Sequence, residues 1–269
     1  MKHLVRFLSC AAVLLPGLAH NVLAHDTWVQ TNTNLVRTGD ALHVDLLLGN
    51  HGNNHRDFKI ASKASIKHST LAVVAPSGKS YDLLDRVRDL GYAPNEGYWT
   101  ARFVPAEPGL YVISHTLDQV MSYAPVRAVK SAKACFVASD SLDRVPEEHS
   151  GFDQVLGHPL ELVPTANLVT PMGPEQPISV KLLFQGQPLA GEVVSFIPRG
   201  ETLADGFDDR YERKTDSLGQ ASFTPTAGNY YLVVAHREDP TASGEGYEKT
   251  KYSATLTVFV PETCSCCVE

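Results

Sequence analysis

The stretch PGLYVISH, residues 108–115, combines a turn signal with a short run of β-branched and aromatic residues. Proline and glycine favour the turn, and the side chains that follow favour a strand. Alternation places Ile113 and His115 on one face of this strand and Ser114 on the other. A similar run, AGNYYLVVAH, occupies residues 227–236. The two stretches are compatible with a weak internal repeat and equally with the recurrence of such runs in unrelated β-sandwiches.

Strands of the same kind are predicted along most of the chain, with turn-forming residues between them. They fall into two sets, at residues 41–48, 70–75, 98–104, 110–115 and 133–138, and at residues 159–164, 178–184, 192–197, 221–224, 230–235 and 253–260. Residues 82–90 are predicted to form a short helical turn, and the loop at 199–213 is long and charged. The pattern predicts an all-β protein of two tandem immunoglobulin-like β-sandwiches.

Residues 1–24 have the pattern of a secretory signal peptide. Lys2 and Arg6 give a positive start, an apolar run follows, and VLA at 22–24 is a small-residue cleavage site. A cut after Ala19 is an alternative that would also leave a histidine in first place. The predicted organisation is a signal peptide at 1–24, an N-terminal sandwich with a metal site at 25–139, a linker at 140–157, a C-terminal sandwich at 158–260 and a cysteine-rich tail at 261–269.

The charge balance is acidic. The full chain has 23 Lys and Arg against 30 Asp and Glu, and the signal peptide carries two of the basic residues and no acidic one, so the mature net charge is −9. This balance argues against nucleic acid as a partner, because phosphate binding needs a basic face.

No segment after the signal peptide approaches the roughly 20 apolar residues of a membrane-spanning helix. We therefore expect a soluble protein of the periplasm, or a secreted one.

His25 is the first residue of the chain cut after Ala24. An N-terminal histidine offers two nitrogen ligands, the α-amine and the imidazole, whose reference pKa values are about 8 and about 6.5. Both lose a proton readily to a metal ion near neutral pH.

His51 and His55 lie in the loop GNHGNNH at 49–55, where small and amide residues surround them. This loop is either a metal-binding segment or a solvated turn.

His115 is a third candidate, since it ends an inward-facing strand at the rim of the predicted sandwich. It could serve as a ligand or as a hydrogen-bonded histidine of the core. Asp26 could orient a ligand imidazole from behind. His236 holds the matching position in the second half, but nothing in the sequence ties that end to His25. A nitrogen-rich set around His25 favours Ni(II) or Cu(II) in tetragonal geometry, whereas Co or Zn would suit a tetrahedral one.

The C-terminal tail holds a second candidate metal site. Cys264, Cys266 and Cys267 lie within four residues, and soft thiolates suit Cu(I) or Zn(II). A disulfide within the tail or a crosslink between chains would explain the same pattern. Cys135 lies inside a predicted strand and is expected to be a buried small hydrophobe.

Common enzyme signatures are missing from the sequence. There is no G-x-S-x-G elbow, no phosphate-binding glycine loop and no H-E-x-x-H pair. The acidic residues are scattered, and nothing indicates a general acid and base acting together. We therefore expect a binding protein and not an enzyme.

Several motifs resemble the exported domain-of-unknown-function family 4198. They are AHDTWV (24–29), LLLGNHGNN (46–54), PGLYVISH (108–115), HPLELVPTANLVTP (158–171), VKLLFQGQPLAGEVVSFIP (180–198) and TDSLGQASFTPTAGNYYLVVAH (215–236). The second half also looks like a transthyretin-like sandwich. The family is associated with nickel and cobalt uptake, so the resemblance implies metal handling through His25, His51 and His115.

The leading hypothesis is thus a periplasmic protein that binds a divalent transition metal, nickel or cobalt first and copper or zinc next. Its expected partners are components of a membrane metal transporter. Two alternatives stay open. One is a structural or adhesive tandem sandwich without metal, and the other is a copper oxidase or oxygenase that uses His25 in a histidine brace.

Overall fold

Strands dominate the computed structural model, which describes residues 25–50 and 56–262. The strands are β1 (Asp26–Thr31), β2 (Leu35–Arg37), β3 (Leu42–Asn50), β4 (Arg56–Phe58), β5 (Ser69–Val74), β6 (Ser80–Asp82), β7 (Arg88–Ala93), β8 (Glu96–Phe103), β9 (Gly109–Val120), β10 (Val126–Ser139), β11 (Leu160–Pro164), β12 (Ile178–Phe184), β13 (Gln187–Pro188), β14 (Val193–Pro198), β15 (Glu212–Lys214), β16 (Gln220–Phe223), β17 (Asn229–Asp239) and β18 (Lys249–Val260). Short 3-10 turns lie at Ile60–Ser62, Ile66–His68 and Leu84–Arg86. The described residues contain no α-helix, and the prediction of an all-β protein is confirmed.

The strands form three sheets. The front sheet has the order β1-β3-β4-β8-β7, and the back sheet has β11-β12-β13 with β16 beside β12. The long sheet has the order β15-β14-β17-β18-β10-β9-β5-β6, with β2 also beside β10. Within it β10 and β18 run parallel, so strands from both halves of the chain belong to one sheet. The finer prediction of two tandem sandwiches therefore stays a prediction.

Two apolar cores lie on opposite faces of the long sheet. Ala132 and Ala134 of β10 belong to the first core, under the front sheet, whereas Val129 belongs to the second core, under the back sheet. Odd and even residues of one strand point to opposite faces, which is why β10 contributes to both. Val129 pairs with Tyr252 of β18, another residue of the second core. The long sheet is thus the shared middle layer.

The N-terminal strand β1 joins the front sheet to the long sheet. Trp28 is fully buried with Leu47, Leu232 and Val234, a cluster that combines β1 and β3 with β17. Along the other side of β1, the Thr255 hydroxyl donates to the carbonyl of Thr27 at 2.8 Å. These contacts fix β1 across the junction of the two halves.

The segment predicted as a linker lies against the long sheet. Val145, Phe152 and Leu156 pack on a cluster that includes Leu110 of β9 and Val137 of β10.

Gly109 opens β9 with φ +131, and a Cβ there would lie 2.6 Å from Cγ of Pro76, so this position requires glycine. In the described ranges, no helix is both long and apolar enough for a bilayer.

Candidate metal centre

His25 lies at the end of the front sheet where β3 and β4 meet. The pairing of β1 with β3 ends at Asp26 and Gly49, so His25 and Asn50, the last residue of β3, are the residues that follow this terminal pair. Asn50 in turn pairs with Arg56, the first residue of β4. The chain between these two paired residues is the segment 51–55. His51 and His55 belong to that segment and lie outside the described residues.

Three groups surround His25 and set its state. The imidazole packs edge-on against the Phe58 ring, with centroids 4.7 Å apart. The Lys130 ammonium donates to the backbone carbonyl of His25 at 2.7 Å. Burial, followed by the charges of Lys63 and Lys130, lowers the pKa of His25, and Asp26 opposes this only in part. The imidazole is therefore neutral at neutral pH, which is the form that binds a metal ion.

Asp26 forms an ion pair with His236, from the other half of the chain. The Nε2 of His236 donates to the two carboxylate oxygens of Asp26 at 2.9 and 3.1 Å. Burial alone would raise the pKa of Asp26, but the charge and hydrogen bond of His236, together with Lys130, hold it below its usual value. The Asp26 carboxylate in turn raises the pKa of His236. The carboxylate side chain is 14% exposed and the imidazole 54%.

This contact corrects the sequence analysis, which found nothing to tie His236 to the N-terminus. The two residues are 210 positions apart, and β17 brings them together by running over β1. The signal available in the sequence was the pairing of PGLYVISH with AGNYYLVVAH, each ending in a histidine. That pattern gives no information about which strand lies against which.

Lys130 occupies the centre of this group. Burial lowers its own pKa, against the raising effect of Asp26. Its charge acts on His25, Asp26 and His236, and also on His115. Sequence analysis did not single out Lys130, because the strand predicted at 133–138 begins three residues later than this lysine, whereas β10 extends back to Val126.

His115 is fully buried in the first core. Its Nδ1 lies 2.7 Å from the carbonyl of Thr70, and its Nε2 has no hydrogen-bond partner among the described residues. Burial is the main reason that the pKa of His115 falls to about 4; the Thr70 bond opposes this, and His158 and Lys130 add to it. The described ranges contain no group of three or more His, Cys, Asp or Glu side chains arranged to hold a metal ion.

The tail cysteines Cys264, Cys266 and Cys267 lie outside the described residues. The last described residue, Glu262, lies against Gly228, whereas the His25 end of β1 lies near the pair formed by His236 and Ser253. Nine residues of extended chain separate Ser253 from Glu262, roughly 30 Å.

A second polar cluster lies on the opposite face of the long sheet. Glu161 accepts hydrogen bonds from the backbone N–H groups of Leu156, Gly157 and His158 at 2.6, 3.0 and 3.0 Å. Lys133 pairs with the same carboxylate, and both side chains are almost fully buried, at 3% and 1% exposure. Because the Glu161 carboxylate is fully engaged, this cluster anchors the segment 154–158 and offers no free base.

His158 and Cys135 complete the description of this face. The Ser114 hydroxyl lies 3.0 Å from Nε2 of His158. Burial is the main cause that lowers the pKa of His158 to about 4, although Glu161 acts in the opposite direction. Burial also raises the pKa of the Cys135 thiol to about 12, so this thiol is protonated at neutral pH.

Comparison with known proteins adds a family match. A family model described as "Domain of unknown function (DUF4198)" matches residues 22–239. No curated protein matches the sequence significantly.

Solved structures show only distant likeness. A Salmonella alpha-2-macroglobulin reacted with methylamine is 14% identical with a TM-score of 0.25, and the match covers 88% of this chain and 15% of that one. A DUF4785 family protein from Legionella pneumophila is 14% identical, with a TM-score of 0.27 and coverage of 86% and 56%. The mouse nectin-like molecule 4 ectodomain (Ig1–Ig3) is 10% identical, with a TM-score of 0.23 and coverage of 91% and 67%. The chain thus spans only a small part of the macroglobulin, and these likenesses assign no activity.

Proposed function

Because this chain belongs to the DUF4198 family, whose description assigns no function, we propose its function from the geometry around His25. It is an exported protein that binds a divalent transition metal ion, nickel or cobalt first and copper or zinc next. It passes the ion to components of a membrane transporter. Processing after Ala24 places His25 first in the mature chain and frees its α-amine.

The observation that carries this proposal is the register of β1 on β3. It pairs Asp26, the neighbour of His25, with Gly49, and the residues His51 and His55 lie in the sequence between the paired residues Asn50 and Arg56. The proposed ligands are the imidazole and α-amine of His25 with one or both of those imidazoles. Such a nitrogen set suits tetragonal Ni(II) or Cu(II). His115 is left out of the set, because its ring is buried and its Nδ1 is engaged by Thr70.

The local charges favour reversible binding over permanent binding. Lys63 and Lys130 act on His25, so a bound cation would face two positive charges. The neutral imidazole of His25 and the negative charge of the Asp26 carboxylate favour the binding of a cation. A carrier must release its ion, and a site whose attraction is partly offset by fixed lysines meets that need.

Titration calorimetry of the processed protein with Ni(II), Co(II), Cu(II) and Zn(II) tests the proposal. We expect binding at micromolar or lower concentration. His25→Ala, or a form with one alanine added before His25, should weaken it about tenfold or more, equivalent to about 1.4 kcal/mol. His68→Ala is the matched control, since His68 is an exposed histidine at the end of a 3-10 turn. No binding at micromolar metal would contradict the proposal and favour a metal-free structural sandwich.

A copper oxidase or oxygenase is the second candidate, because His25 would also begin a histidine brace. The Cu-loaded protein with a reductant should then consume oxygen or produce peroxide, and a carrier should do neither.

For the architecture of the protein, we infer that the two cores correspond to the two predicted sandwiches, at 25–139 and 158–260, which share the long sheet as a common layer.

A further inference from the structure

A depression lies between the segment 147–152 and the loop 166–177, and its volume is about 650 Å³. Small-molecule sites in proteins typically have volumes of roughly 300–1,000 Å³. The described residues that line it do not include His25, so the depression is separate from the proposed metal centre. It is therefore a candidate for a second binding site.

The Asn167 carboxamide joins the two walls of the depression. Its Nδ2 donates to the carbonyl of Glu147 at 3.1 Å, and its Oδ1 accepts from the N–H groups of Val169 and Thr170 at 2.9 and 3.3 Å. The Thr170 hydroxyl also donates to the carbonyl of Pro146 at 3.4 Å. Because these bonds hold both walls without a ligand, binding requires little rearrangement and its cost is low.

Two anchored apolar side chains line the same depression. Met172 is 2% exposed and belongs to the second core. Phe152 is half-buried and packs on the cluster that includes Leu110 and Val137. An apolar group that entered the depression would therefore meet a thioether and an aromatic ring that the fold already fixes.

The charge of the lining is negative. Glu147 and Glu148 are both exposed, and no Lys or Arg is among the described residues that line the depression. Burial lowers the pKa of His149, although a hydrogen bond to the backbone of Pro146 opposes this, so the imidazole is neutral at neutral pH. The lining thus combines two carboxylates and an apolar surface with no positive charge.

We propose that this depression binds a small organic cation, an ammonium group carried on an aryl or alkyl body. The carboxylates of Glu147 and Glu148 complement the charge, and Phe152 and Met172 receive the apolar body. The face of the Phe152 ring also attracts a cation. This inference does not rest on the proposed metal binding.

Three probes with the same aromatic body and different charge test the proposal. They are phenethylammonium, the neutral 2-phenylethanol and the anionic 3-phenylpropionate, each titrated into the processed protein and followed by NMR of the backbone amides. We expect phenethylammonium to bind with a dissociation constant of about 1 mM or lower, and about tenfold more tightly than the alcohol. The anion should not bind, and added salt should weaken the binding of the cation. The amide signals that move should be those of residues 147–152 and 166–177.

Two variants locate the site without changing the core. Glu147→Gln/Glu148→Gln should weaken phenethylammonium binding about five- to tenfold, because both changes keep the size of the side chain and remove its charge. Ser150→Trp should abolish binding, since Ser150 is an exposed residue of the lining and the indole would fill the depression. Glu245→Gln is the matched control, because Glu245 is exposed and is not part of the lining. Circular dichroism checks that each variant is folded.

The proposal is overturned if phenethylammonium shows no binding at ~10 mM. It is also overturned if the alcohol or the anion binds as tightly as the cation, or if the double glutamine variant binds the cation as tightly as the wild type. None of these results bears on Ni(II) or Cu(II) binding at His25. Failure of the metal titration, in turn, leaves the expected binding of phenethylammonium unchanged.

Discussion

Replacing Glu161 by glutamine removes the negative partner of a buried lysine while keeping the size of the side chain. In the folded protein one oxygen of Glu161 accepts from Leu156 and Lys133, and the other accepts from Gly157 and His158. Glutamine offers a single acceptor oxygen, and its amide N–H₂ would face N–H donors on the other side. The Lys133 charge would be left without its partner at 3% exposure.

The expected cost follows from these two losses. Breaking a buried ion pair by removing one partner costs about 3–5 kcal/mol. An unsatisfied buried backbone donor costs about 1–3 kcal/mol, part of which is already included in the first figure. We therefore expect the free energy of unfolding to fall by about 4 kcal/mol. For a chain of this size that corresponds to a drop in melting temperature of roughly 8–16 °C.

Urea and thermal denaturation at pH 7, followed by circular dichroism, measure the effect. Glu238→Gln is the matched control, because its pair with Lys249 is 44% and 37% exposed and should contribute no more than about 1 kcal/mol. In the variant Lys133→Met/Glu161→Gln the uncompensated charge is gone, so its cost should be lower than the sum of the single costs. A loss below about 1 kcal/mol for Glu161→Gln, or strict additivity in the double variant, would refute the reasoning.

Three further predictions concern pH, packing and the N-terminus. The pKa values of His115 and His158 are about 4 in the folded protein, against 6.5 in the unfolded chain. The unfolded chain therefore takes up protons first as the pH falls, and the free energy of unfolding should decrease between pH 6.5 and about 4. Each histidine accounts for a decrease of up to about 3 kcal/mol. Denaturation at pH 7.5, 6 and 5 checks this, and His115→Leu should flatten the slope. Trp28→Ala should cost about 3–5 kcal/mol by urea denaturation, because Trp28 is fully buried between the halves; an unchanged midpoint would contradict this. Lys130→Met should raise the pKa of His25 in an NMR titration, since the Lys130 charge lowers it, and no rise would rule out that influence.

Local sequence patterns predicted the strands well where one face is apolar. The run at 110–115 lies within β9, Gly109–Val120, and its inward face carries Ile113 and His115 as alternation required. The predicted helical turn at 82–90 is partly present as the 3-10 turn Leu84–Arg86. The remainder becomes β7, Arg88–Ala93, which no alternation marks, because this edge strand is exposed on both faces.

Contacts between distant strands could not be predicted in this way. The parallel pairing of β10 with β18 joins Ala132 to Thr255, and neither sequence contains a signal for the other. The same holds for the ion pair of Asp26 with His236. Periodicity reports which face of a strand is apolar, but it does not report which strand lies beside it. The neighbours of the predicted site residue His25 and of Asp26, namely Lys130 and His236, could therefore not be predicted from the sequence.

The side of β1 that faces the long sheet has a consequence for self-association. Its carbonyls at His25 and Thr27 accept from the side chains of Lys130 and Thr255, and the carbonyl of Thr31 accepts more weakly from the Tyr230 hydroxyl at 3.5 Å. A carbonyl that already accepts a hydrogen bond within the molecule offers less to a strand of a second molecule. These three carbonyls of β1 are thereby removed from edge-to-edge pairing between molecules at high concentration.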